Sequence, residues 1–88
     1  MNHTTKRKLL RRLKIIEGQV RGIQQMLERD KYCIDVITQT SAVKRALSGV
    51  EDALMEHHLG TCVVDQMKKG KGGTAVGEIL KVYRLKRK

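Results

Sequence analysis

The chain has 88 residues, enough for one domain with a small core, and with no Phe, no Trp and two Tyr that core must be aliphatic. Lys and Arg number 19 against 9 Asp and Glu, a formal net charge of +10, which favours a polyanion such as duplex DNA and, with so few aromatics, disfavours a single-strand binder that stacks bases. No run of about 18 apolar residues exists to cross a membrane, and the basic N-terminus lacks the apolar stretch of an export signal, so a cytoplasmic protein is expected, with its two cysteines as free thiols or ligands.

Proline is absent and glycine supplies the punctuation. The pattern predicts an all-α single domain with helices over about 5–29, 32–66 and 74–84. A weak break falls at Asp30-Lys31, and a flexible Gly/Lys linker over 69–73 carries Gly70, Gly72 and Gly73. In the first helix Leu9, Leu13, Ile16, Val20, Ile23 and Leu27 follow alternating four- and three-residue steps, the rhythm of a packed seam. At about 100° per residue, Arg7, Arg11, Lys14, Gly18 and Arg21 fall on the opposite side. A merely solvated face usually interleaves acids with bases, yet Glu17 is the only acid between Lys6 and Arg21. That purity of sign marks a candidate DNA surface. Gly18, which costs about 1 kcal/mol in helix propensity, marks a place for close approach.

The second predicted helix carries Val36, Val43, Leu47, Val50 and Leu54, flanked by Ile34, Ile37, Ala42, Ala46 and Ala53. So wide an apolar band can cover both the first helix and a second copy of the chain, which a protein this poor in core material needs. Lys44 and Arg45, near its middle, join the DNA-binding set.

His58 and Cys62 are four residues apart and share a face if the helix is regular there, whereas His57 is turned well away. Alone the pair is a weak metal signal. Cys33 strengthens it from the other end of the same predicted helix, about 37 Å away at about 1.5 Å per residue. One straight rod cannot bring these groups together, but two copies packed antiparallel can, each supplying Cys33 to the other's His58 and Cys62. Two thiolates and an imidazole form a soft, low-coordinate set suited to Cu(I). Zn(II) asks for a fourth ligand, for which His3, from an N-terminal tail, is a candidate. The alternative for the cysteines is a redox pair, which has no need of His58. No paired carboxylates or nucleophile–base arrangement beyond Cys and His suggests an enzyme.

The stretches RRLKIIEGQVRGIQQMLERDKYCIDVITQTSAVKRAL and EHHLGTC resemble the CsoR family of copper-sensing repressors, whose members also sense nickel or cobalt, formaldehyde and persulfides. The resemblance runs from about Lys6 to Val82. It implies an antiparallel helical dimer of three-helix protomers, two of which pair into a disc-like homotetramer. It matches Cys33, His58 and Cys62 to the family's metal ligands, taken from two chains with one Cu(I) per protomer. Tyr32 matches a tyrosine just outside the ligand set of the copper sensors, Glu78 the acidic residue on the last helix that helps hold the ligating histidine, and Arg12 a position tied to DNA binding. Departures are Ile15 and Gly49, at both of which relatives commonly carry a basic residue. The function implied is a repressor whose metal-free form holds operator DNA and whose Cu(I) form releases it, derepressing copper-export genes. The alternatives are a relative responding to Ni(II), Co(II), Zn(II) or persulfide, or a cytosolic copper chaperone or buffer whose basic face serves only solubility.

Overall fold

The computed structural model describes residues 1–87, and all regular structure among them is helical: α1 (His3–Glu28), α2 (Cys33–Gly60), α3 (Cys62–Lys68) and α4 (Gly72–Lys86). The three predicted helical stretches are all helical, and the middle one is interrupted at Thr61 to give α2 and α3. The chain forms two compact units, Met1–Ala53 and the residues from Leu54 on.

In the first unit, Asn2 starts α1 as its N-cap. The Asn2 side-chain oxygen accepts the N–H of Thr5 at 2.8 Å and so satisfies one of the donors that a helix start leaves free. His3, expected in a tail, is therefore the first helical residue. The other end closes with two backbone bonds, Lys31 N–H to the Met26 carbonyl at 2.9 Å and Asp30 N–H to that of Leu27 at 3.1 Å. This paired pattern needs a left-handed residue after the helix, and Asp30 supplies it with φ 51°.

The core of this unit is Leu9, Ile16, Val43 and Val50, with Ile23, Ala46 and Ala53 packed against it. Only half of the predicted seam on α1 is covered. Leu9, Ile16 and Ile23, seven residues apart, meet α2. Leu13, Val20 and Leu27, also seven apart, stay 41%, 42% and 62% exposed. A two-helix unit offers one neighbour, and one neighbour covers one stripe. On α2 the same holds: Val43 and Val50 are buried while Ile34, Ile37 and Leu47 are exposed.

In the second unit, α3 and α4 pack through small residues. Ala75 is 1% exposed and Val63 is buried. Between these helices the chain reverses with the device used after α1. Lys71 N–H donates to the Gln66 carbonyl at 2.7 Å and Gly70 N–H to that of Met67 at 3.2 Å, with Gly70 left-handed at φ 74°. The predicted linker over 69–73 is therefore shorter than expected. Gly72 and Gly73 already belong to α4, since the turn is complete at Lys71, whose carbonyl accepts from Ala75 N–H at 3.2 Å.

Candidate metal centre and basic face

Cys33 is the first residue of α2, and its thiol is free and exposed. The carbonyl of Tyr32 just before it accepts the N–H groups of Asp35 and Val36 at 3.0 and 3.2 Å, so Tyr32 borders the first turn while its ring is 71% exposed. His58 lies in the last turn of α2 and is half-buried, as is His57. Cys62 opens α3 with an exposed thiol.

Between His58 and Cys62 the helix is not regular. Gly60, the weakest helix former in the segment, is followed by Thr61 at φ −126°, ψ −70°. The Thr61 hydroxyl donates to the carbonyl of His57 at 2.8 Å and lies 3.7 Å from the Cys62 sulfur. The Thr61 backbone N–H still donates to the same carbonyl at 3.1 Å, and Thr38 and Thr40 make the same kind of hydroxyl bond inside α2 without interrupting it, so the break goes with Gly60 and the backbone angles of Thr61. His58 and Cys62, expected on one unbroken helix, are therefore separated by the interruption at Thr61.

Among the described residues, no three His, Cys, Asp or Glu side chains of one chain group to hold a metal ion. Cys33 stands at one end of α2 and His58 near the other. The donor set itself, two free thiols and an imidazole, fits a soft ion such as Cu(I) and does not fit a hard cation.

Glu78 on α4 accepts a hydrogen bond from the Gln66 amide nitrogen, Nε2 to Oε1, at 3.0 Å. Sequence reasoning missed Gln66, because twelve residues separate the pair and only the turn at Gly70 brings α3 and α4 together. A carboxylate only accepts, so Nε2 must face Glu78. This turns the Gln66 amide oxygen inward, where it is buried without a partner. Such an unmet acceptor costs about 1–3 kcal/mol.

Arg7, Arg11, Arg12, Lys14 and Arg21 are all exposed on α1, and Lys44 and Arg45 on α2. Glu17 sits 4.0 Å from Lys14 and 3.6 Å from Arg21. Exposed pairs of this kind contribute at most about 1 kcal/mol, and one carboxylate leaves the surrounding face strongly positive. A Cβ on Gly18 would meet nothing within 4 Å, so nothing in its own chain demands glycine there. Arg12 also lines a shallow pocket of about 260 Å³ whose apolar walls are Ile15, Ile16, Ala46 and Gly49. No helix among the described residues is long and apolar enough to cross a membrane.

Residues 5–85 match the family described as metal-sensitive transcriptional repressor. The chain is 46% identical over 87 residues to the copper-sensing transcriptional repressor CsoR of Bacillus subtilis (strain 168), spanning 96% of this chain and 86% of that protein. It is 52% identical over 63 residues to the copper-sensing transcriptional repressor RicR of Mycobacterium tuberculosis (strain ATCC 25618 / H37Rv), covering 72% of this chain and 66% of that one. The crystal structure of the copper-sensing repressor CsoR with Cu(I) from Geobacillus thermodenitrificans NG80-2 has the same fold, with a TM-score of 0.92 at 38% identity. That match covers 100% of this chain and 92% of the other.

Proposed function

The chain belongs to the metal-sensitive transcriptional repressor family, and from that premise we propose that it is a cytoplasmic, Cu(I)-responsive repressor of copper-export genes, its 88 residues acting as one metal-sensing, DNA-binding domain. Two copies pack antiparallel, and Cys33 of each chain joins His58 and Cys62 of its mate, with one Cu(I) per protomer. Two such dimers pair into a tetramer. Arg7, Arg11, Arg12, Lys14 and Arg21 of α1, with Lys44 and Arg45 of α2, lie against the phosphates of operator DNA in the metal-free state.

The observation that carries this reading is the placement of three soft donors at the helix ends. Free thiols stand at the starts of α2 and α3 and a half-buried imidazole closes α2. They lie on a chain that leaves a stripe of Leu13, Val20, Leu27 and Leu47 uncovered. The relatives, named as copper sensors, support Cu(I) as the ion. A Ni(II), Co(II) or Zn(II) site calls for further nitrogen or oxygen ligands, and the tail that would have delivered His3 is the capped first turn of α1.

Linkage sets the mechanism. Ligation by Cys33, His58 and Cys62 can release DNA only if the DNA-free form takes the metal more tightly, and DNA must weaken metal binding by the same factor. That coupling is typically about 1–3 kcal/mol. The test uses a duplex that the metal-free protein selects from a random pool. Under anaerobic, reducing conditions, one equivalent of Cu(I) per chain is expected to dissociate the complex, read by fluorescence anisotropy. A complex that survives that equivalent overturns the switch.

A further inference from the structure

The hydrogen bond between Gln66 and Glu78 points to a role that the ligand set leaves unassigned. Gln66 lies four residues after Cys62 on α3, so the two share a face of that helix. Its amide N–H occupies Oε1 of Glu78, and the other carboxylate oxygen retains its capacity to accept. A ligating imidazole has a second N–H, and a carboxylate on it fixes the tautomer and the ring orientation. We infer that Gln66 is a positioning residue for the metal centre: by gripping Glu78 it ties the acid of α4 to the helix that begins with Cys62, so that the carboxylate is already placed for the N–H of His58 before metal arrives. This inference rests on the Cu(I) reading above.

Burial supports it. A glutamine held only for solubility keeps both ends of its amide in water. Gln66 instead buries its amide oxygen with no partner and keeps its N–H on Glu78. The bond to the carboxylate therefore decides how the side chain lies.

The test compares full-length wild type with Gln66→Leu, which keeps the volume and removes the amide, with Glu78→Ala, and with the double variant. In the metal-free protein, amide hydrogen exchange over residues 74–80 is expected to quicken in Gln66→Leu. Cu(I) affinity, measured by competition with a chromogenic chelator, is expected to fall about tenfold in Gln66→Leu, as for other outer partners of metal ligands. Because Gln66 acts through Glu78, the double variant is expected to bind no more weakly than Glu78→Ala alone. Unchanged affinity, tighter binding by Gln66→Leu, or losses that multiply in the double variant would each overturn the assignment. Failure of the wild type itself to take up Cu(I) would remove the metal reading and the positioning role together. A wild type that binds beside an unaffected Gln66→Leu removes only the latter.

Discussion

Asp30 is the one non-glycine residue with positive φ among those described, at 51°. It occupies, after α1, the position that Gly70 fills after α3, and both close their helices with the same pair of backbone bonds. The left-handed conformation costs an L-residue about 1–2 kcal/mol, less for Asp than for most, and glycine adopts it freely. Asp30→Gly is therefore expected to stabilise the fold by about 0.5–1 kcal/mol. Gly70→Ala should destabilise it by about 1–2 kcal/mol, although a Cβ there has open space around it. Thermal melts at fixed chain concentration check both, and a fall in Tm for Asp30→Gly would show that the Asp30 carboxylate contributes more than the backbone argument allows.

On the scale of the element, the interruption between α2 and α3 is the feature with most consequence. A continuous helix through Gly60 and Thr61 would be costly, since glycine costs about 1 kcal/mol relative to alanine in a helix interior. The chain instead spends a threonine hydroxyl on the His57 carbonyl and restarts at Cys62. The interruption thus lies between His58 and Cys62. Gly60→Ala/Thr61→Ala, which puts the best helix former at both positions of the break, is expected to raise stability by about 1 kcal/mol while weakening Cu(I) binding at least tenfold. Melting curves and chelator competition on the same samples separate the two effects. Unchanged metal affinity in a stabilised variant would mean that the bend is incidental to the site.

For the whole molecule the governing quantity is uncovered aliphatic surface. The core of the first unit is four buried side chains with three partly covered neighbours, while Leu13, Val20, Leu27, Ile34, Ile37 and Leu47 face out of it. A chain this short completes such a core with a second copy. The expected result is an oligomer at micromolar concentration by sedimentation, with a Tm that rises with chain concentration. The shared pocket adds a sharper expectation. Mixing Cys33→Ala subunits with His58→Ala/Cys62→Ala subunits should restore half of the Cu(I) sites in each mixed dimer, although neither parent binds alone. A monomer, or hybrids that stay empty, would sink the two-chain site.

The sequence by itself determined whatever depends on spacing along one rod. Seven-residue steps from Leu9 to Ile16 and from Val43 to Val50 specified helices and their inward residues. The cations from Arg7 to Arg21 specified a basic face, and all are exposed on α1. Cys33 and His58 fall at opposite ends of α2, which is the ground for proposing a two-chain metal site. These readings are local, because helical periodicity turns residue number directly into direction. The tertiary structure decided the rest. It chose which stripe of the α1 seam to cover, since α2 reaches Leu9 and Ile16 but leaves Leu13 and Val20. It ended the middle helix at Thr61, whose backbone leaves the helical run at φ −126°, ψ −70° just after Gly60. It also brought Gln66 to Glu78, because the turn at Gly70 folds α4 back on α3, and contacts made across a turn leave no periodic trace in the chain.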